Sequence, residues 1–518
     1  MWAVSNSILL SAVTTGLLSH AIYKRREPDV VSFLRQFLLL VAAALGWTAS
    51  SQTAFDPLSI IAATLLFATV NLFTLGLSIS IYRLFLHPLR KFPGPWAAKL
   101  TKLEGVYYAL PGKFHDHMQE IHDKYGDVVR IGPNELSFRS ASAVKHLVGK
   151  VNKGAYFETS VYTEGEGVPI NALVDFEEHK QRRRLWDSAF NQKSLKSFSP
   201  MFNRLLDRLI GELHKFEDWC DYYAFDVMGE LAFAKDFGLI TGEGNRDYSG
   251  FIRSGLKIFF VVSNIPWISP LAYYFPISEE VKQQSIKFRE LGSKQKNAEA
   301  HLRADSPVLF IAGSDTTSTT MAFLFYFVLR DRKVYKRLRD EIDQAWDGKS
   351  PLEAGMLGIE TCPYLHGAIQ EALRLVPPAP NGMQRRLIRD TEIDGHFIPA
   401  GTLVSVNAWA AQRHAKHFTN PLDFVPERWI DSERDKKWNH VPMAYIPFGI
   451  GSYLCIGRAL AMQELRLIAV KLMREFDLEL VPDFDHARFW ADIRSWQAIF
   501  KPALPVRYKR RSRTGGTV

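Results

Sequence analysis

A single cysteine in a glycine-rich loop is the feature of this sequence that most clearly indicates chemistry. Cys455 lies in the run FGIGSYLCIGR of residues 448–458, directly before a predicted helix. Gly449, Gly451 and Gly457 permit tight turns and a close approach of the backbone. Backbone N–H groups in such a loop, together with the N-terminus of the helix, stabilise a thiolate. Zinc requires four ligands, whereas one thiolate can be the sole protein ligand of a haem iron.

Five motifs together resemble those of the cytochrome P-450 superfamily of haem-thiolate monooxygenases. The loop around Cys455 is similar to the haem-binding signature, to which Phe448 and Tyr453 also belong. The other motifs stand in the family's order: HKQRR at 179–183, AGSDTT at 312–317, EALR at 371–374 and PERW at 426–429. The resemblance covers about residues 90–505. It implies a mainly α-helical fold with small β-sheets and a haem b bound axially by Cys455, and the chain looks like fungal membrane-bound members of secondary metabolism.

The AGSDTT motif supplies groups that can handle protons. Ala312 and Gly313 are small, which would let a flat macrocycle and dioxygen come near the helix. By the resemblance, Thr316 is the hydroxyl nearest the oxygen site and Asp315 is its partner in proton relay. The hydroxyl residues of the motif could instead only hydrogen-bond to the preceding helical turn, but a glycine and several hydroxyl residues are costly inside a helix.

A charged cluster is predicted to support the fold and haem incorporation rather than bond making. Glu371 and Arg374 are one helical turn apart and can pair. Arg428 of the PERW element adds a second cation, which would join the helix to the loop before Cys455. The planar guanidinium suits this bidentate role. An isolated pair of this kind is usually a solvated surface pair of little value.

The resemblance assigns several basic residues to the haem propionates. His179 and Arg183 share a helix face and are expected to act as charge-assisted donors. Arg385 matches a further propionate-binding arginine, with Arg386 as the alternative at a shift of one residue. Tyr453 departs from the family, because an arginine or histidine usually stands there. A phenol donates one hydrogen bond and carries no positive charge.

The electrons are expected to come from a separate protein. The chain contains no Gly-rich dinucleotide fingerprint. The basic face around residues 180–184 would, by the resemblance, dock the acidic face of an NADPH-cytochrome reductase. The chain of 518 residues has 64 Lys+Arg against 55 Asp+Glu, a net charge of +9. This mild excess favours an acidic protein or a membrane as partner, and we expect no nucleic acid partner.

The segment before the AGSDTT motif is the largest departure from the family. The connection from Lys296 to Ala312 is short, and Pro307 stands five residues before Ala312. Proline is tolerated at the first helical position, so Asp305-Ser306-Pro307 predicts a cap and a late start for the central helix. A wall of the substrate pocket would then be missing or replaced.

Residues 1–90 are predicted to form a membrane anchor of one to three transmembrane helices, and residues 91–518 the haem-thiolate catalytic domain. A bilayer-spanning helix needs about 20 apolar residues. Residues 57–82 form a charge-free stretch of 26 residues, and residues 1–23 are also uncharged. Residues 37–47 are marginal. Basic residues at 24–26 and after residue 82 place the first loop and the body in the cytosol and the N-terminus outside, which suits the endoplasmic reticulum.

Apolar periodicity predicts the helices and strands of the body. Helices are expected at 114–124, 178–190, 202–216, 334–346, 364–375 and 458–476, and strands at 128–131, 135–138, 392–393, 397–398 and 403–406. Candidate pocket residues are the loop 157–169, Leu309, Phe310, Ala312 and the segment 376–383.

Composition narrows the classes of protein, and the motifs leave three functions open. Hydrophobic residues make up 47% of the chain, which excludes a disordered protein, and only three cysteines occur, which excludes a disulfide scaffold. Cys220 and Cys362 are interpreted as buried hydrophobic residues.

The main hypothesis is a monooxygenase that inserts one atom of O2 into an apolar small molecule. The alternatives are a haem-thiolate isomerase or dehydratase, and a membrane haem-binding protein without turnover.

Overall fold

The computed structural model describes residues 2–24, 28–50, 56–148, 151–154, 168–212, 218–265, 267–268, 300–348 and 352–511. The chain divides into two compact units. One comprises Met1–Val106 with the segments Arg130–Glu135 and Val262–Ile277, and the other comprises the remaining residues.

The first unit contains three long N-terminal helices. They are α1 (Trp2–Tyr23), α2 (Val30–Ser50) and α3 (Pro57–Ile81), and α3 packs against both of the others. Asp56 caps α3 by accepting a hydrogen bond from Leu58 N, and Pro57 occupies the first turn, where its missing N–H costs nothing. A short π-helix (Tyr82–Leu86) and a 3₁₀ turn (Pro88–Lys91) follow.

Two of these helices have the length and composition of membrane spans, which indicates membrane anchoring. They cover Val30–Ser50 and Pro57–Leu86. The stretch judged marginal in the sequence therefore forms a helix of 21 residues, because Val30 to Leu34 extend its apolar centre. A third apolar helical segment, Arg303–Arg330, is 67% buried inside the protein and owes its composition to the core.

The chain after residue 91, whose first helix, α4 (Trp96–Leu100), still belongs to the first unit, is mainly α-helical with small sheets, as predicted. Its helices are α4 (Trp96–Leu100), α5 (Leu103–Ala109), α6 (Phe114–Tyr125), α7 (Ala141–Leu147), α8 (Phe176–Ala189), α9 (Gln192–Ser197), α10 (Ser199–Glu212), α11 (Trp219–Phe233), α12 (Tyr248–Asn264), α13 (Ala300–Arg330), α14 (Arg332–Ala345), α15 (Pro363–Leu375), α16 (Ala408–Gln412), α17 (Arg458–Glu475) and α18 (His486–Ala491). The central helix α13 packs against α11, α15 and α17, and together they enclose the large apolar core.

The strands are short, and both local hairpins and pairings between distant segments join them. They are β1 (Val128–Gly132), β2 (Glu135–Phe138), β3 (Asn152–Lys153), β4 (Arg385–Arg386), β5 (Thr391–Ile393), β6 (His396–Ile398), β7 (Leu403–Val406), β8 (Phe476–Leu480), β9 (Arg494–Ser495), β10 (Ile499–Phe500) and β11 (Val506–Arg510). Five of them form a sheet of order β1-β2-β7-β4-β3, and the others form three pairs, β5-β6, β8-β11 and β9-β10. All predicted helices and strands are present, with ends shifted by a few residues; residues 213–216 of one helix lie outside the described residues.

The predicted late start of the central helix is wrong. Helix α13 begins at Ala300 and contains Pro307 in its interior. Asp305 is not its cap, because its carboxylate accepts hydrogen bonds from Ile170 N at 2.6 Å and from Trp186 Nε1 at 2.7 Å. These two bonds connect the helical turn before Pro307 to Ile170 and Trp186. They compensate for the backbone hydrogen bond that the helix lacks because proline has no N–H. Lys296 lies outside the described residues.

Candidate active site

Most predicted site residues meet at one cavity of about 370 Å³. Eight of them line it: Ala312, Thr316, Arg385, Phe448, Gly449, Tyr453, Cys455 and Gly457. Apolar side chains, among them Leu309, Met383 and Val406, form much of the remaining wall. Such a lining with a few polar groups is typical of sites for apolar ligands. Arg385 lines the cavity and Arg386 does not, which favours the first of the two arginines considered.

The loop before α17 presents the Cys455 thiol to the cavity. Gly449 and Gly451 have φ of +73° and +61°, a region that favours glycine. A Cβ on Gly451 would also lie 2.6 Å from the carbonyl oxygen of Val148. The loop closes through a hydrogen bond of 2.8 Å from Cys455 N to Phe448 O.

The Cys455 side chain is exposed and lines the cavity. Burial raises the pKa of Cys455, while backbone N–H groups of Gly457 and Arg458 and the charge of Arg183 act in the opposite direction. The loop therefore offers the donors that the sequence predicted for a thiolate, and an anionic sulfur here would need a further positive partner such as a metal ion.

Helix α13 brings Thr316 to the cavity and turns Asp315 away from it. The Thr316 hydroxyl donates to Ala312 O at 2.7 Å, and Ser314 likewise donates to Phe310 O at 2.7 Å. The back-bonding considered as the alternative is thus present, but Thr316 still lines the cavity while Asp315 does not. Asp315 is 3% exposed, and its Oδ2 has no hydrogen-bond partner among the described residues.

Buried charges surround Asp315 on the side away from the cavity. Asp221 of α11 accepts from Arg253 Nη2 at 2.8 Å and lies 3.1 Å from Lys501 Nζ. It also bonds to the side chain of Ser318, one turn beyond Asp315 on α13. Burial, and after it the charge of Asp221, raises the pKa of Asp315 to about 7, against the opposing effect of the two cations. Sequence reasoning missed this cluster, for which the only signal was Lys501 within the apolar stretch 498–504.

A second polar cluster surrounds the ring of Tyr453. The ring lies 4.6 Å from the guanidinium of Arg385, 5.3 Å from Nζ of Lys153 and 4.5 Å from the ring of His179. The Tyr453 hydroxyl donates to Val151 O at 2.9 Å, so its proton is directed at the backbone. The sequence analysis did not name Lys153.

The two basic residues predicted on α8 have different surroundings. Burial lowers the pKa of His179 to about 3, and the charges of Lys153, Arg183 and Arg385 add to the effect. These effects favour the neutral form of His179 in this arrangement, and its role as a propionate donor stays a prediction. Arg183 donates to Leu454 O at 2.5 Å and to Asp187 at 2.7 Å, which attaches α8 to the cysteine loop.

The residues present fit a haem. The cavity offers one thiolate ligand and apolar walls, and one edge of it carries buried cations. The Nδ1 atom of His179 at this edge is buried without a hydrogen-bond partner among the described residues. No group of three or more His, Cys, Asp or Glu residues in the described ranges could hold a metal ion by itself. A macrocycle that brings its own metal ligands and two carboxylates would match each of these features.

The Glu–Arg–Arg cluster connects helix α15 to the segment before the cysteine loop. Arg374 donates two bonds of 2.8 Å to Glu371, and Arg428 donates one of 3.2 Å. Trp429 Nε1 and Val425 N also donate to Glu371, at 2.9 and 3.1 Å. All three charged side chains are fully buried. Their hydrogen-bonding groups are used extensively, as the burial of ions requires.

Several expectations about the pocket need correction. Phe310 does not line the cavity; it is fully buried against Phe225, Phe233 and Phe237. Gly313 is small for a further reason, since a Cβ there would lie 2.4 Å from Sδ of Met228 on α11. The part of the predicted loop from 157 to 167 lies outside the described residues. Of the segment 376–383, residues 378, 379, 382 and 383 line the cavity.

Comparison with known proteins identifies the class and then the family. A mainly helical body with an accessible cysteine in a glycine-rich loop at an apolar cavity has the features expected of a haem-thiolate protein. The family description "Cytochrome P450" matches residues 93–291 and 283–489. The chain belongs to the cytochrome P450 family, which implies a haem-thiolate cofactor.

Curated relatives from fungi are named as monooxygenases. Cytochrome P450 monooxygenase FCK2 of Fusarium pseudograminearum is 28% identical, over 96% of this chain and 96% of its own length. Cytochrome P450 monooxygenase aba2 of Botryotinia fuckeliana is 32% identical over 78% of this chain and 86% of its own length. Cytochrome P450 monooxygenase BOA3 of the same organism is 31% identical over 83% and 94%. The chain is accordingly an oxidoreductase of the monooxygenase type.

Proposed function

We propose that this protein inserts one atom of O2 into an apolar small molecule of secondary metabolism, with electrons from NADPH delivered by a partner reductase. The observation that carries the proposal is the meeting of Cys455 and Thr316 at one apolar cavity. The similarity to fungal proteins named cytochrome P450 monooxygenases supports the reaction class.

The roles of the chain's residues follow from their positions. A haem bound here would supply the binding and reductive cleavage of dioxygen. The Cys455 thiolate would hold its iron, while the side chains of Arg385, His179 and Arg183 would bind its propionate carboxylates. Apolar side chains such as Leu309 and Met383 would exclude water and orient the substrate.

Proton delivery is assigned to α13. The Thr316 hydroxyl lies at the cavity and can hand a proton toward it while its own oxygen accepts another. Asp315 lies on the adjacent helix face, and a carboxyl with a pKa of about 7 can both hold and release a proton at neutral pH. The charges of the buried cluster of Asp221, Arg253 and Lys501 would keep the pKa of this carboxyl near neutral pH.

The location is proposed from the N-terminal helices and the charges next to them. Residues 1–90 would anchor the protein in the endoplasmic reticulum membrane, and residues 91–518 would form the catalytic domain in the cytosol, where NADPH is available. The exposed basic side chains of α8, such as Lys180 and Arg184, are the proposed contact for the acidic face of an NADPH-cytochrome reductase.

The first experiment tests the axial ligand. The reduced, carbon monoxide-treated wild-type protein should show the red-shifted Soret band of a thiolate-ligated haem, and Cys455→Ser should lose it. Cys362→Ser is the matched control, since Cys362 is buried in the core away from the cavity. Retention of the band in Cys455→Ser would reject the assignment.

The second experiment tests turnover. Wild-type protein with reductase, NADPH and a fungal metabolite extract should consume NADPH and O2 and yield a product heavier by one oxygen atom. Product formation without NADPH would instead identify an isomerase or dehydratase.

A further inference from the structure

Two buried cations stand directly opposite each other at one edge of the cavity. Lys153 on β3 pairs in register with Arg385 on β4. Their side chains are 5% and 3% exposed. Like charges at directly opposed positions of neighbouring strands destabilise a sheet, and burial makes the repulsion stronger because water no longer screens it.

Both cations are directed to the same place, the ring of Tyr453. The guanidinium of Arg385 lies 4.6 Å from the ring centre and the ammonium of Lys153 lies 5.3 Å from it. A cation gains from the face of an aromatic ring, but a phenol ring carries no net charge and cannot neutralise the pair. Tyr453, two residues before Cys455, is therefore uncharged but lies next to two positively charged side chains.

Lys153 does not itself line the cavity, but its ammonium group is bonded to residues that do. Lys153 Nζ donates to Ile170 O at 2.7 Å and to Asn171 O at 2.8 Å, and both of these residues line the cavity together with Arg385 and Tyr453. These carbonyl groups hold the flexible side chain in one position. A cation fixed in this way is preorganised for an anion in the cavity.

We propose that Lys153 is a haem-binding residue, whose ammonium group pairs with a propionate carboxylate beside Arg385 and supplies the positive charge that Tyr453 lacks. This inference rests on the proposed function, because it requires haem in this cavity. It adds a residue outside all the motifs of the sequence. A propionate between the two strands would turn a repulsive pair of cations into a bridged one.

The electrostatics of the unliganded site agree with this role. Burial, together with the charges of Arg385 and Arg183, lowers the pKa of Lys153 to about 7, against the opposing effect of Asp305. The neutral His179 completes the groups around Tyr453. A carboxylate added to this set would stabilise the ammonium form, so the lysine would be fully charged when haem is bound.

The test compares three variants of the full-length holoprotein. Lys153→Met removes the charge, Lys153→Arg keeps it, and Lys193→Met removes one charge from the exposed surface of α9. Haem transfer from the ferric protein to excess apomyoglobin should be at least about tenfold faster in Lys153→Met, since a charge-assisted hydrogen bond typically contributes about 1.5–3 kcal/mol. The other two variants should transfer haem at close to the wild-type rate.

The reduction potential of the haem distinguishes two roles of Lys153: supplying a positive charge, and holding the backbone carbonyl groups of Ile170 and Asn171. Loss of a cation near a propionate disfavours the reduced state, so the reduction potential of Lys153→Met should become more negative and that of Lys153→Arg should not. If Lys153 only holds the carbonyl groups of Ile170 and Asn171, the potential will not follow the charge. Unchanged haem transfer and potential in Lys153→Met would overturn the inference.

If the Lys153→Met protein does not accumulate in the expression host, a second substitution can still test the inference. Tyr453→Arg in the same chain returns one cation to the cluster and should restore the yield of haem-containing protein; no restoration would count against the inference. A wild-type protein with the thiolate-type carbon monoxide band but no effect at Lys153 would overturn this inference alone. A wild-type protein that binds no haem would overturn the proposed function as well.

Discussion

Asp315 shows how one buried carboxyl can be adjusted to work near neutral pH. Burial and the neighbouring charge of Asp221 raise its pKa to about 7, and Arg253 and Lys501 limit the rise. Asp221 itself keeps a lowered pKa, chiefly because the charges of Lys501 and Arg253 outweigh the effect of its burial. Of two carboxyls in one cluster, one is thus held ionised while the other can exchange a proton, a separation typical of acid–base pairs.

This difference predicts a pH dependence of stability. A carboxyl with a raised pKa in the folded protein contributes stability that is complete below its unfolded value of about 4 and is lost as pH rises through about 7. The side chain of the Asp315→Asn variant cannot titrate. The difference in free energy of unfolding, variant minus wild type, should therefore rise between pH 4 and 7 and stay constant above pH 7. Thermal unfolding of both proteins in detergent, with the exposed Asp340→Asn as control, would measure this. A difference that does not vary with pH would contradict it.

Thr316 offers a test of proton delivery at the cavity. Thr316→Ala removes the hydroxyl but keeps the helix, and positioned proton transfer is typically worth about 100- to 10,000-fold in rate. Product formation should fall steeply while NADPH consumption falls much less, with the missing electrons recovered as hydrogen peroxide. Thr316→Ser retains the hydroxyl and should stay close to wild type. If Thr316→Ala yields as much product per NADPH as the wild type, the relay role is wrong.

Site residues could be predicted from the sequence where they are adjacent along the chain. The loop around Cys455 and the AGSDTT motif each place their groups within a few residues, so the pattern itself carries the signal. Lys153 and Lys501 reach their clusters through strand pairing and chain packing, and their charged partners Arg385 and Asp221 are 232 and 280 residues away along the chain. No local pattern encodes such distances.

At the scale of elements, the junction of α15 with the PERW turn is the contact most sensitive to substitution. Glu371 receives bonds from Arg374, Arg428 and Trp429, and all of the charge involved is fully buried. Removing one partner of a buried pair leaves a charge without compensation, which costs about 3–5 kcal/mol.

Arg428→Met should therefore lower the free energy of unfolding by an amount in this range and reduce the yield of haem-containing protein. Arg337→Gln is the matched control, because Arg337 forms ion pairs with Glu427 and Glu433 at a position that is 42% exposed. Surface pairs of this kind contribute about 0.2–1 kcal/mol. Chemical unfolding and the haem-to-protein ratio would measure both effects, and equal losses in the two variants would contradict the argument.

Periodicity predicted most elements of the body because their apolar stripes face one core. The strands around Gly395 and Gly401 followed from turn residues, and both glycines have positive φ in the structure. The start of α13 was missed for a different reason. Local rules place a proline at the first helical turn, but the carboxylate of Asp305 holds the upstream turn through Ile170 and Trp186, a tertiary contact that the local sequence does not reveal.

At the scale of the whole molecule, the number of membrane crossings decides on which side the N-terminus lies. Helices α2 and α3 have the length and composition of spans. Helix α1 packs against α3, and Asn71 of α3 donates to Ala12 O and Thr15 Oγ1 at 3.2 and 2.8 Å. Such polar contacts between helices are favourable in a membrane because the alternative is an unsatisfied group in hydrocarbon. This packing supports three crossings rather than two.

Three crossings predict opposite sides for the two ends of the chain. Lys24, Arg25 and Arg26 follow α1 along the sequence, and Arg83, Arg90 and Lys91 follow α3. Positive charges stay preferentially on the cytosolic side, so the N-terminus should be lumenal and the C-terminus cytosolic. Protease treatment of intact microsomes should spare an N-terminal tag and remove a C-terminal one, and detergent should expose both. Digestion of both tags without detergent would mean two crossings, with α1 outside the bilayer, and protection of the C-terminal tag would reject the orientation.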